Sequence, residues 1–187
     1  MERQRYLGTN APALHRDAGH GEPDSGQHSG ASPCVCSRSA QKNGGQAEQA
    51  LGRSRGGFST KIHVITDALG NPLFFILTGG ERNDITQAEN LTIGFICECV
   101  NVLADRGYDS DDFVQGILDR GATPVIPPRK NRTLLRDYDQ HLYKERHLVE
   151  CFIGKIKHFR RVFSRFEKLA GRFLSFLSFA AALIWLR

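Results

Sequence analysis

The chain has 187 residues, 40% of them apolar, with 25 Lys or Arg against 20 Asp or Glu and a net charge of +5. That length bounds it to one domain, or one domain with a tail, and the apolar share supports a core, which excludes a wholly disordered chain. The charge is uneven: Arg129 to Arg172 holds 13 Lys or Arg against 5 Asp or Glu, so this segment is net +8 and suits a polyanionic partner, nucleic acid first.

Residues 1–50 are rich in Gly, Ser, Pro, Ala, Gln and His, and no hydrophobic period runs through them. Taken alone they are expected to be disordered. Cys34 and Cys36 form a C-x-C, but no second pair completes a zinc-site spacing. The texture changes at Phe58. FSTKIHVITDA is a β-branched run with rough alternation, a strand. Gly70 and Asn71 supply a turn, and PLFFILTGG forms the second strand of a hairpin. Asp84 is placed to N-cap a helix running through Ala88 and Leu91 to about Ile96. CVNVLAD is a nearly continuous apolar run, a strand covered on both faces. Ser110 or Asp111 starts a helix through Phe113, Ile117 and Leu118 that stops near Gly121. ATPVIP is a short strand, RKNRTLLRDYD a basic loop, and a long helix and a terminal helix (about Leu169 to Leu186) follow. The last apolar run, Phe173 to Leu186, falls short of the roughly 20 residues that span a bilayer, so no membrane partner is expected. Five cysteines is an odd number with no secretory leader before them. Cys97, Cys99 and Cys151 are therefore expected to be buried thiols in a reducing cytoplasm.

The order β-β-α-β-α-β-α-α is an α/β mixed sheet flanked by helices. It fits a ribonuclease H-like fold with the first strand missing.

The chemistry concentrates in YKERHLVECFIGKIK. At about 100° per residue, Tyr143, Arg146, Glu150 and Lys157 fall within roughly 60° of one another on a helix. Leu142, Val149, Phe152, Ile153, Ile156 and Phe159 form a different, broader face that can pack on a core. A carboxylate ringed by cations suits metal-assisted chemistry on phosphates. Upstream, Asp105 closes a hydrophobic strand, where α/β folds place active sites. Each residue alone has a plainer account: Asp105 as a turn residue, Arg146–Glu150 as a surface i,i+4 pair, Lys157 as a solvated charge, Tyr143 as packing. The joint spacing favours the functional one. Two-metal phosphoryl transfer uses carboxylates from separate elements converging on ions about 3.5–4 Å apart, and two carboxylates are one short of the usual set.

Residues from about Gln41 to Arg187, nearly four-fifths of the chain, resemble DDE transposases of bacterial insertion sequences, of the insertion-sequence-five type. The resemblance rests on ALGRSRGGFSTKIH, DALGNPL, LTGGERNDITQAE, LADRGYD, VIPPRKNR, DYDQHLYKERHLVE and FRRVFSRFEKLA. It implies a ribonuclease H-like catalytic domain over 42–187, Mg²⁺ or Mn²⁺ as cofactor, and cleavage and joining of double-stranded DNA at terminal inverted repeats and target. Asp105 then matches the second catalytic aspartate and Glu150 the glutamate, both metal ligands. Tyr143, Arg146 and Lys157 match the signature helix. Arg53, Arg55, Lys61, Arg129, Lys130, Arg132, Lys155, Arg160 and Arg161 are the basic residues expected to face DNA. The resemblance also implies a cytoplasmic, nucleoid-associated protein, as a homo-oligomer or assembled with a full-length transposase.

The family's first aspartate, in a strand motif like Asp-Ser-Thr-Val-Val-Arg, has no counterpart here. Asp24 is followed by Ser25, but GEPDSGQHSG carries no apolar strand. The codons for Gly26 to Ser32, read from the second base, permit that motif. Residues 1–41 are therefore expected to be a disordered or out-of-frame tail, and the chain a truncated or frameshifted copy defective in cleavage. The alternative is a non-catalytic fragment that binds DNA or a full-length subunit and inhibits transposition.

Overall fold

The computed structural model describes residues 3–8, 45, 47–54, 57–98, 100–133 and 135–186. Asp24, Cys34, Cys36, Arg55 and Cys99 lie outside them. The centre of the structure is a six-stranded sheet. Its strands are β1 (Arg3–Gly8), β2 (Gly52–Ser54), β3 (Gly57–Asp67), β4 (Pro72–Gly79), β5 (Val100–Leu103) and β6 (Thr123–Val125). The order runs β2-β3-β1-β5-β6, with β4 also paired to β3.

β3 and β4 are the expected hairpin, in antiparallel register from Thr60↔Gly79 to Thr66↔Pro72. Its turn is built by Asp67. The carboxylate accepts the amides of Leu69 and Asn71, both at 2.9 Å, and Gly70 takes φ 80°, a conformation that costs a residue with Cβ. Asp67 is therefore a turn residue rather than a further site carboxylate.

β1 corrects the expectation that the first strand is missing. It lies between β3, antiparallel from Arg5↔Asp67 to Gly8↔Val64, and β5, parallel from Arg3↔Val100 to Tyr6↔Leu103. The physical reason is main-chain pairing. Without an occupant there, β3 and β5 would each bury a row of unpaired N–H and C=O groups, and a Pro-free extended segment can satisfy both edges.

The sheet is covered on both faces. On β3, Ile62 and Val64 face one cluster and Ile65 the other, the period of two expected of a strand. On β5, Leu103 joins the first cluster while Val100 and Val102 join the second. This double coverage is why CVNVLAD is almost uniformly apolar. The second face carries α1 (Ile85–Thr92) and α2 (Asp111–Leu118), through Ala88, Leu91, Phe113, Val114 and Ile117. The first face carries α4 (His147–Ile156) and α6 (Ala170–Trp185), through Val149, Phe152, Ile153, Ile156, Phe173 and Leu177. Two short helices, α3 (Gln140–Tyr143) and α5 (Arg160–Phe163), flank α4.

Several local expectations need correction. Ser110 caps α2 by accepting the Phe113 amide, but Asp84 makes no capping hydrogen bond to α1. Its carboxylate is turned to Lys61 instead, 3.0 Å away. The signature helix is not continuous. Lys144–Arg146 tightens into a 3₁₀ turn between α3 and α4, so its residues step by about 120° rather than 100°. Cys97 and Cys151 are exposed, not buried. Cys97 lies in the connection between α1 and β5, and Cys151 is on the outer side of α4 beside Glu150. Among the described residues no helix is long and apolar enough to cross a membrane.

Candidate active site and nucleic-acid interface

Asp105 sits just beyond the C-terminal end of β5. The ladder reaches Ala104, whose amide donates to Val125 O, and the chain then turns through a 3₁₀ segment, Arg106–Tyr108. Asp105 caps that turn: its Oδ1 accepts the Gly107 amide at 2.9 Å. Tyr108, fully buried in the second cluster, anchors the turn from below. Burial raises the Asp105 carboxyl above the usual carboxylate range. The Gly107 amide opposes the shift, the charge on Asp84 adds to it, and the Arg146 guanidinium opposes it.

Arg146 joins Asp105 to the signature helix. It forms an ion pair with Glu150 and lies 5.7 Å from the centre of the Tyr143 ring. Burial works against its charge, but the Glu150 hydrogen bond, Tyr143 and the charges of Glu150 and Asp105 together raise its pKa. Tyr143 is held edge-on against Tyr138, with ring centres 5.6 Å apart, and packs against the first cluster. Asp139 sets where this segment starts, its carboxylate accepting the amides of His141 and Leu142 at 2.8 and 3.0 Å. Asp105, Tyr143, Arg146 and Glu150 are therefore brought together. Lys157 is not: it is the residue following α4, roughly 10 Å along the axis from Glu150.

On the other side of Asp105 lie neighbours that its own motif does not contain. Lys61 and His63 project from one face of β3 towards Asp84. Lys61 Nζ also donates to Arg82 O at 2.8 Å. His63 is fully buried; its Nε2 meets Thr78 Oγ1 at 2.8 Å and its Nδ1 lies 3.9 Å from Asp84 Oδ1. Desolvation lowers the His63 pKa to about 4; Asp84 opposes this and Lys61 adds to it. The period-two alternation of Lys61, His63 and Ile65 was the available signal for a shared face.

The basic residues divide by their partners. Lys61 is committed to Asp84. Arg129 donates to Gly107 O at 2.9 Å, Arg132 is paired with Asp109 and Asp111, and Arg161 with Glu167 at 3.0 Å. Arg53, Lys130, Lys155 and Arg160 are exposed, and Arg160 lies over the Phe166 ring.

The described residues do not complete a divalent-metal site. No group of three or more His, Cys, Asp or Glu among them converges as a metal requires. Asp84 is held by Lys61 and Glu150 by Arg146. The strand beside β5, RQRYLG, contains no acidic residue.

Comparison with known proteins fits this arrangement. The Transposase DDE domain family matches residues 35–185, which include every residue of the site. The chain belongs to that family. Two relatives agree. A protein named as transposase for insertion sequence element IS6501, from Brucella ovis, is 39% identical over 130 residues, covering 69% of this chain and 99% of that protein. A protein named as transposase for insertion sequence element IS402, from Burkholderia cepacia, is 36% identical over 135 residues, covering 67% of this chain but only 62% of its own length. A piggyBac transposase synaptic complex with hairpin DNA aligns over 70% of this chain and 24% of that one, at a TM-score of 0.40 and 12% identity, too slight a likeness to carry an argument. This DDE transposase chain is thus of insertion-sequence type, and DNA is the partner its family implies.

Proposed function

We propose that this chain binds double-stranded DNA at insertion-sequence ends as a ribonuclease H-like DDE transposase domain, with an incomplete set of catalytic carboxylates. One observation carries the reading. Arg146 is paired with Glu150 and feels the charge of Asp105, while β1, the strand next to β5, brings no acidic residue. In the complete family site, metal-dependent strand cleavage and transfer need a carboxylate from that strand as well. The order of three antiparallel strands followed by two parallel additions supports the ribonuclease H-like assignment. The Tyr-x2-Arg-x3-Glu-x6-Lys spacing supports the insertion-sequence-five type.

Within the site, Asp105 and Glu150 present oxygen ligands, Arg146 holds Glu150 in place through their ion pair, and Tyr143 braces Arg146. The chain as written binds without cutting, and mixed with a full-length transposase it acts as an inhibitor. Residues 1–41 are taken as out of frame in this reading, and Arg3–Gly8 among them supply main-chain pairing to the sheet as β1.

The test is a labelled duplex of insertion-sequence end together with supercoiled plasmid, in Mg²⁺ or Mn²⁺. Duplex binding that weakens as salt rises, with no nicking, is expected. Nicking by the wild-type chain that disappears in Asp105→Asn would show a complete active site and overturn the defective reading. The nucleotide sequence across codons 20 to 45 tests the tail: no Asp-Ser-Thr-Val-Val-Arg in a neighbouring frame removes the frameshift.

A further inference from the structure

We infer that the cleft beside the Asp105 turn grips a DNA backbone phosphate and that Asp109 is its positioning residue, an inference that rests on the DNA-binding reading above. The cleft is open, about 680 Å³, and lies between the 106–111 turn and the loop 129–132. Four cations line it, Arg106, Arg129, Lys130 and Arg132, against two acids, Asp109 and Asp111.

Both acids are already engaged. Asp109 is only 4% exposed. Its Oδ2 accepts the Arg129 amide at 2.7 Å, and its Oδ1 accepts Arg132 at 3.3 Å and Arg136 at 3.1 Å. Asp111 takes a second nitrogen of each of those two arginines. Two guanidiniums are thus bridged between two carboxylates and serve the loop rather than a ligand. Gly107 connects this clamp to the catalytic turn: its amide donates to Asp105 and its carbonyl accepts from Arg129. Movement of the loop is therefore felt at Asp105.

Two cations are left over. Arg106 and Lys130 are exposed and have no side-chain partner among the described residues. They flank the cleft one residue from Asp105 and one from Arg129. A free anion in so open a cleft gains little, because exposed pairs are well screened. A phosphate carried on DNA gains more, because each further phosphate contact made by the same duplex raises the effective concentration at this one. The ligand is accordingly a DNA backbone phosphate.

The test is duplex binding by the full chain across a salt series. Lys130→Ala and Arg106→Ala each lower the slope of log K against log salt by about 0.9, one phosphate contact apiece. Asp109→Asn weakens binding although it removes a negative charge, which simple electrostatics would make tighter. If Asp109 acts through Lys130, the double variant binds no more weakly than Asp109→Asn alone. Should Asp109→Asn not fold, the two surface variants decide the matter. Tighter binding by Asp109→Asn, or unchanged slopes in both surface variants while wild type still binds duplex, overturns the grip and leaves DNA binding standing. Inorganic phosphate bound by wild type and lost in Lys130→Ala, with the duplex slope unchanged, assigns the cleft to free phosphate and also overturns it. Absence of salt-dependent duplex binding in wild type overturns both readings.

Discussion

Asp105 and His63 are two titrating groups with opposite signatures. Asp105 has a folded pKa raised by burial. Its neutral form is favoured in the folded state, so the stability it contributes is present below the unfolded pKa of about 3.9 and is lost as pH rises through the folded value. Asp105→Asn keeps an oxygen for the Gly107 amide and removes the buried charge. The variant should be more stable than wild type at neutral pH and equal to it in acid, measured by urea unfolding across pH; lower stability at neutral pH would contradict the burial argument. His63 shows the reverse. Its pKa is lowered from 6.5 to about 4, so its contribution is present above the unfolded value and lost as pH falls between the two. The shift is worth up to about 3 kcal/mol for a fully buried ring. His63→Gln retains a partner for Thr78 and should remove that acid-side slope. An unchanged slope would place the proton uptake on another group.

Among the elements, the segment leading into the C-terminal helix is tied to residues 49–60 by two side chains, Arg165 and Gln49. Arg165 donates to Ala50 O at 3.2 Å and Gln49 O at 2.8 Å, bonds Thr60 Oγ1, and lies 5.2 Å from the centre of the Phe173 ring. Gln49 returns the link by accepting the α6 amide of Ala170 at 2.8 Å. Ala50 holds a left-handed φ of 49° there, which costs a residue with Cβ roughly 1–2 kcal/mol. Removal of Arg165 leaves several carbonyls without a charged donor. Arg165→Ala should cost about 3 kcal/mol, since a buried acceptor left unsatisfied costs about 1–3 kcal/mol. Arg165→Lys should recover less than half, because an ammonium cannot reproduce the planar fork. The readout is the urea midpoint at constant m, and a loss within ±0.5 kcal/mol, roughly that of an ordinary surface substitution, would make the link incidental.

At the scale of the molecule, β1 carries the sheet. It is paired on both sides, so Tyr6→Pro removes a ladder donor from an interior strand. The expected result is loss of cooperative unfolding. A cooperative transition at the wild-type midpoint would mean that the sheet does not need this strand. The same strand separates fold from chemistry. Main-chain pairing asks nothing of side-chain identity, so RQRYLG can complete the sheet without supplying a carboxylate.

The elements from Phe58 onward were legible in the chain because their signals are local. Period-two alternation marked β3, a continuous apolar run marked β5, and Ser110 marked the start of α2. The buried faces of α4 were legible for the same reason: Val149, Phe152, Ile153 and Ile156 recur at helical spacing. The placement of Asp105 after β5 and of Glu150 on α4 was legible too, through the apolar run and the helical spacing around them. Tertiary structure decided the rest. Asp84 has the sequence of a helix cap, yet an ammonium 3.0 Å away on a neighbouring strand outcompetes the helix amides. Asp109 resembles any polar residue before a helix until the loop 20 residues later closes over it. Which cations remain free for DNA depends on which carboxylates reach the others. Pairings between distant segments have no periodicity to announce them. They arise only when the sheet brings two faces together and the cost of burying an unpaired charge selects the partner.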